Sequence, residues 1–491
     1  MSEKANQLTL KEIINIRKSK IDKMLDKGIN PYPHHFKKDI SIKELLVNHK
    51  ENESTFNTAG RIISLRKMGK ACFLHIQELS DKIQVYVKKD LLPEDVFDDV
   101  VKNIDIGDII GVRGELFFTK TKELSIKASN IIMLSKSIQP LPNIKEKDGQ
   151  VFFAFEDKEL RYRYRYLDLI VNPNIKDVFI KRAQIISQIR SFLDKADFLE
   201  VETPVLQPIY GGANARPFKT YHNTLDQELY LRIADELYLK RLIIGGFEKV
   251  YEISKNFRNE GMDRSHNPEF TMLEFYASYA DVYDMMNFTE KMIRSVCNKL
   301  NIKDIDISAD FQKIDFYKSI KMYSGVNIEG MSVEELYSFM KEKNIKISKD
   351  LNYGNLLDKV FSYYVEPKLI HPTFIYNYPI EISPLAKESR EKKGIVERFE
   401  LFINGMEIAN SFTELNNPIE QRKRLVNQSK LRDLGDEEAQ VIDEDFIKAM
   451  EHGMPPTGGV GLGIDRLTML LTGSNSIKDV ILFPAMRLID D

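Results

Sequence analysis

Cysteine is almost absent from this sequence: its 491 residues contain only Cys72 and Cys297. Their separation fits no zinc-binding pair, and two cysteines cannot build a disulfide framework. A reducing, cytoplasmic setting is the expectation. No apolar run approaches the roughly 18–20 residues that cross a membrane. The N-terminal stretch interleaves Lys4, Lys11, Arg17, Lys18, Lys20 and Lys23 with acids and has no signal-peptide apolar region. Neither a membrane nor DNA is expected as a partner. The common nucleotide-binding loops are missing too. No GxxxxGK[ST] segment exists, and the glycines of 453–463 lack the strand–glycine–helix register with a downstream acid. Internal repeats and low-complexity tracts are absent. A net charge of −3 does not advertise a nucleic-acid binder, although a basic face can hide in a balanced total.

What is present reads as an ordinary globular chain, with 43% hydrophobic and 30% charged residues and length for several domains. Residues 1–27 suggest a helix whose apolar set is Ile13, Ile14, Ile16, Ile21 and Leu25. Its basic residues suit either a solvated face or RNA. From 57 to 134, short alternating strands with Gly60, Gly107, Gly111 and Gly114 at bends predict a small β-barrel, most simply an OB-fold. Residues 135–150, with Pro140, Pro142 and Gly149, read as a linker. A second unit begins near "RYRYRYLDL" (161–169), followed by a helix at roughly 174–196 and a strand in "FLEVETPVL". The stretch 281–390 is mostly helical and interrupts a β-rich pattern that resumes at 396, which predicts an insertion.

Three polar stretches carry candidate chemistry. "RNEGMDRSHNPEF" (258–270) joins two alternating segments, and on the second Phe270, Met272, Glu274 and Tyr276 share one face. A carboxylate among aromatics is costly in a core unless paired. It suits a pocket floor that offers a ring to stack on and an acid awaiting a cation. In "RFELFINGMEIANSFTEL" (398–415), Asn404-Gly405 is a strong hairpin signal. It pairs Ile403 with Met406, Phe402 with Glu407 and Glu400 with Ala409, making Glu400 and Glu407 diagonal neighbours. Two acids so placed suit Mg²⁺ shared with nucleotide phosphates. Asn410, Phe412 and Glu414 have the opposite parity to Glu407, so a β-bulge between 407 and 410 is required to bring all of them to one pocket. In "GMPPTGGVGLGIDRLTMLLTG" (453–473), glycines would let a helix press against a sheet, with Arg466 projecting from its first turn over a ligand. Together these features predict ATP bound on an antiparallel sheet.

These stretches resemble the three motifs of class II aminoacyl-tRNA synthetases: the helix with "FLEVETPVL", then "FRNEGMDRSHNPEF", then "GVGLGIDRLTMLL". "GGANARPF", "IADELYLKRLIIGGFEKVYEI", "TMLEFYASY" and "GMEIANSFTELN" extend the likeness to the lysyl branch, from residue 57 to the C-terminus. The resemblance implies an α+β chain. Residues 1–56 form a helical extension, 57–145 an OB-fold anticodon-binding domain, and 146–491 a catalytic domain with its insertion at about 281–390. It implies that Arg258 and Arg466 are catalytic. ATP is held by Arg258, Glu260, His266, Asn267, Phe270, Glu400 and Arg466, with Phe270 under the adenine. Glu400 and Glu407 carry Mg²⁺, up to three ions with ATP. Gly212 and Glu236 meet the α-amino group, Arg258 and Asn410 the carboxylate, and Glu274, Tyr276 and Glu414 the ε-ammonium. Arg66, Phe73, Gln84 and Glu123 match anticodon contacts, with Phe73 stacking on a base. Some bacterial members place an arginine before the motif 2 histidine; here that position is Ser265, preceded by Arg264.

Two carboxylates and a phenol deep in one pocket favour a long cationic side chain over the short substrates of aspartyl and asparaginyl relatives. The expected partners are lysine, ATP, tRNA(Lys) and a second copy of the chain. Alternatives are a paralogue that modifies a protein, another synthetase of the same branch, and a non-catalytic nucleic-acid binder.

Overall fold

The computed structural model describes residues 9–47, 54–79, 81–142, 144–147, 150–153, 155–303, 305–345, 352–383, 385–433 and 441–488. They fall into two compact units, Met1–Asp177 and Val178–Asp491.

In the first unit, Thr9 caps the helix Leu10–Asp26 through a reciprocal box with Glu12, satisfying backbone donors that a helix start leaves orphaned. The basic face is partly structural. Arg17 is buried and donates to the carbonyls of Ile106 (3.0 Å), Ser137 (3.0 Å) and Gln139 (3.2 Å). The predicted barrel is present. Strands β1 (Phe56–Met68), β2 (Ala71–Glu78), β3 (Asp81–Lys88), β4 (Ile109–Phe118) and β5 (Leu124–Ser135) close in the order β1-β2-β3-β5-β4. Cys72, Leu74 and Ile76 of β2 and Ile83, Val85 and Val87 of β3 fill its core. At the end of the expected linker, β6 (Ile144–Lys147) pairs antiparallel with β7 (Gln150–Phe153), which runs beyond it.

The second unit is built on an eight-stranded sheet. Its strands are β8 (Leu199–Glu200), β12 (Lys249–Phe257), β13 (Glu269–Ser278), β14 (Gln312–Asp315), β15 (Thr373–Pro379), β16 (Ile395–Ile403), β17 (Met406–Thr413) and β18 (Thr457–Gly463). They run in the order β14-β15-β16-β17-β18-β13-β12-β8. The inner pairings are antiparallel as expected, but β14 and β8 join the two edges in parallel. A small sheet of β9 (Leu206–Gln207), β10 (Lys219–His222) and β11 (Gln227–Leu231) stands beside it. The stretch 281–390 does more than interrupt the sheet. It supplies β14, β15 and the helix Val282–Lys299, whose Met285, Met286, Met292 and Val296 pack into the main core.

Alternation divides the sheet into two faces. Leu273, Phe275 and Ala277 of β13, Phe399 and Leu401 of β16, and Val460 and Leu462 of β18 are buried against that helix and the helices Lys176–Asp194 and Ile464–Thr472. Residues of the other parity face the ligand side. The required bulge exists: Leu401 pairs with Ala409 and Phe402 with Glu407, leaving Ile408 as the extra residue. Ile408 and its neighbour Ala409 consequently both enter the core. The shift pairs Glu400 with Asn410 rather than with Ala409, and returns Asn410 and Phe412 to the face that carries Glu407.

Candidate active site

Four neighbouring strands build the ligand face. On β13, Met272, Glu274 and Tyr276 stand opposite Gly463, Gly461 and Gly459 of β18. Gly461 and Gly459 in turn face Asn410 and Phe412 of β17, and Asn410 faces Glu400 of β16. The glycines of β18 divide their roles by parity. Gly458 admits the helix Val282–Lys299 rather than the helix that carries Arg466: a Cβ there would lie 2.7 Å from Met285 Cγ. Gly459 and Gly461 instead leave the ligand face open, since a side chain on Gly459 would collide with Glu414 Oε1 and the Tyr276 ring.

Two adjoining cavities occupy this face. The first, about 230 Å³, is lined by Arg258, Glu260, His266, Asn267, Phe270, Glu407 and Arg466. The second, about 260 Å³, is lined by Gly212, Glu236, Glu274, Tyr276, Asn410 and Glu414. Arg258, Met272, Asn410 and Gly461 border both. A molecule in one cavity therefore meets a molecule in the other at Arg258.

The first cavity is a guanidinium-rich ring. Arg258 follows β12 directly, is half-buried, and its Cζ lies 5.1 Å from the Phe270 centroid. Arg466 leaves the first turn of its helix and donates to the carbonyl of Glu407 at 3.1 Å and to its carboxylate at 3.0 Å. Its other terminal nitrogen lies 3.0 Å from His266 Nε2. A guanidinium only donates, so Nε2 accepts and the ring proton sits on Nδ1 against Asp263, 2.8 Å away. Asn267 is buried, donates to the Glu269 carbonyl at 2.6 Å, and leaves its own oxygen without a hydrogen-bond donor. Asp465, which the sequence reading passed over, pins the helix start. It accepts from the Thr271 backbone at 2.7 Å and pairs with Arg182 at 2.6 Å. Arg264 does not enter the cavity lining; it donates to Asn475 O at 2.5 Å.

Glu400 is separated from this ring. It lines a neighbouring polar cavity of about 210 Å³ with Asp358, Tyr378 and Arg398. Tyr378 donates to it at 2.7 Å and Arg398 pairs with it at 2.5 Å. Burial pushes its carboxyl up to about 7; Arg398 pulls the other way, and the charge of Glu407 adds to the rise. Arg398, also passed over, orients Asn410 by donating to its side-chain oxygen at 3.1 Å. Among the described residues no group of three or more His, Cys, Asp or Glu side chains could hold a metal ion alone. Two carboxylates fit an ion that completes its shell with phosphate oxygens.

The second cavity is acidic. Glu274 is buried; it accepts from Tyr276 OH at 3.2 Å and from the Asp235 backbone at 3.4 Å. Burial, then the charges of Asp235 and Glu236, raise its carboxyl well above the usual range. Glu414 and Glu236 share the ammonium of Lys240, a residue the sequence reading did not single out.

In the barrel, Arg66, Phe73, Gln84 and Glu123 line a cavity of about 1240 Å³ together with His75, Tyr86 and Phe117. Alternation turns Phe73 away from Cys72 and Leu74, so it is half-buried outside the core and lies 4.9 Å from the Tyr86 ring. Gln84 donates to Glu123 at 2.9 Å, and His75 reaches the same carboxylate at 3.1 Å.

Comparison with known proteins agrees with both halves. Residues 157–487 match the family described as tRNA synthetases class II (D, K and N), and residues 56–134 the OB-fold nucleic acid binding domain. The chain belongs to the class II tRNA synthetases. Within them it is similar to Lysine--tRNA ligase 2 of Methanosarcina mazei, 49% identical over 482 residues, covering 96% of this chain and 93% of that protein.

Proposed function

We propose that the protein is a lysine–tRNA ligase. It activates L-lysine with ATP and transfers the lysyl group to the 3′-OH of the terminal adenosine of tRNA(Lys). The observation that carries this reading is the junction of a guanidinium-ringed cavity and an acidic cavity at Arg258. A lysine carboxylate oxygen attacks the α-phosphorus, the bond to the pyrophosphate oxygen breaks, and lysyl-adenylate forms. The carboxylate is already ionised at neutral pH, so the step needs no strong base. Catalysis comes from alignment and from Arg258 and Arg466, fixed where phosphate charge spreads. Phe270 offers the adenine a face, and Glu274, Tyr276 and Glu414 receive the ε-ammonium. ATP and Mg²⁺ are what the family implies. Glu407 in the ring and Glu400 in the neighbouring cavity are the acids that would hold such ions, up to three with ATP, and the ions would supply charge neutralisation for the triphosphate.

The barrel reads the anticodon. Stacking of one base on an aromatic ring contributes roughly 1–3 kcal/mol. Phe73→Ala is therefore expected to lower kcat/KM for tRNA charging about 10–100-fold, leaving lysine-dependent pyrophosphate exchange unchanged. Charging and exchange assays on one preparation separate these outcomes. A homodimer is supported by exposed Ile180, Leu199, Val205 and Leu206 around the motif 1 segment. No described helix is long and apolar enough to cross a membrane, which is compatible with a cytoplasmic enzyme. The decisive experiment is ATP–pyrophosphate exchange with each of the twenty amino acids, followed by charging of tRNA. Exchange with lysine alone is expected; exchange with aspartate or asparagine, or activation without charging, would sink the assignment.

A further inference from the structure

Lys240 lies one turn into the helix Glu236–Ile244 and is about 1% exposed. Its ammonium pairs with Glu236 at 2.5 Å, pairs with Glu414, and lies 5.6 Å from the Phe412 ring centroid. A buried lysine is costly, and replacing such a pair by apolar residues is often neutral or stabilising. Stability is thus a poor reason for one beneath a substrate cavity.

Charge balance offers a better reason. Three acids, Glu236, Glu274 and Glu414, line the cavity. Lysine brings two ammonium groups, while its carboxylate is matched by Arg258. Lys240 is the third cation. We propose that Lys240 is a positioning residue for the substrate side chain: it holds Glu414 beside Gly459 and Tyr276 and favours its charged form, so that the pocket accepts two ammonium groups. The proposal rests on Glu274, Tyr276 and Glu414 being the ε-ammonium site. The groups facing Glu414 agree with it. Burial raises its carboxyl to about 8, with Lys240 opposing the rise and Glu236 adding to it. Glu274 and Tyr276 approach from β13, the Asp235 backbone donates to Glu274, and Arg258 also lines the cavity. Without Lys240 the ion pair that opposes protonation of Glu414 is lost.

The test is the KM for lysine in pyrophosphate exchange between pH 7 and 9.5 for Lys240→Met and Lys240→Gln, with ATP-dependent thermal protection confirming folding. At pH 7 the KM for lysine is expected to rise roughly 10–100-fold while the KM for ATP stays within about threefold. Below about pH 8 the native and variant carboxyls gain charge in parallel and the deficit holds; above it only the variant's still gains, so the deficit shrinks up to about tenfold per pH unit. Adding Glu414→Gln to either variant should abolish that recovery. A deficit that ignores pH, an unchanged KM, or loss of ATP binding in both variants overturns the proposal. Glu414→Gln alone tests the underlying site: an unchanged lysine KM there refutes the pocket assignment, whatever Lys240 does.

Discussion

Arg258→Ala is expected to reduce lysine-dependent pyrophosphate exchange by on the order of 10³-fold, with little change in thermal stability. Removing a single preorganised donor to developing charge typically costs about 10²–10³ in kcat. Arg258 belongs at the upper end because it borders both cavities, where the proposed reaction would have it serve the α-phosphate and the substrate carboxylate together. Its placement is preorganised. The backbone N–H donates to the Pro268 carbonyl at 2.9 Å across the hairpin, and Nε points to the Ile233 carbonyl at 3.4 Å. Burial lowers its proton affinity, and Glu260, Glu274 and Glu407 oppose that only in part; a guanidinium keeps its charge all the same. Arg258→Lys should recover little, since a point charge cannot present the planar fork to two partners. Single-turnover adenylate formation measures the effect directly. Exchange within tenfold of the native rate would remove Arg258 from the reaction.

How much of this could be read in advance depended on whether the signal was local. Strand parity placed Phe270, Met272, Glu274 and Tyr276 on one face, because alternation within one strand needs no partner. The parity conflict in 407–414 required a bulge, and the structure puts it at Ile408. Long-range pairing was illegible. β14 and β15 are separated by the 57 residues 316–372, and their four-residue parallel ladder leaves no mark that a short apolar run would not also leave. Lys240 was hidden for a different reason. Four residues after Glu236 it reads as an ordinary surface ion pair of a helix, and only Glu414, arriving from the end of β17, makes it a buried one. Arg398 had the parity of Glu400 and could have been found by the same alternation. Its four contacts, to Ile382, Ser383, Glu400 and Asn410, depend on tertiary placement. The glycines of β18 were legible as close approach, but not as two approaches on opposite faces.

Those glycines carry the other large effect. Gly459→Ala is expected to raise the KM for lysine by at least about 100-fold while leaving ATP binding intact. The added Cβ would lie 2.7 Å from Tyr276 Cδ1 and closer still to Glu414 Oε1. β18 cannot move to relieve the clash, because it is hydrogen-bonded between β13 and β17. Glu414 and Tyr276 must therefore swing away from the places where an ammonium would meet them, and buried pockets yield poorly to such shifts. Gly459 lines the acidic cavity and not the nucleotide cavity, which is why ATP should be spared. Gly461→Ala is the contrast. Its nearest neighbour is the mobile end of Met272 at 3.0 Å, so it should cost far less, and that cost should be shared between both substrates because Gly461 borders both cavities. Equal lysine affinities for the native protein and Gly459→Ala would mean that the substrate side chain lies elsewhere on the sheet.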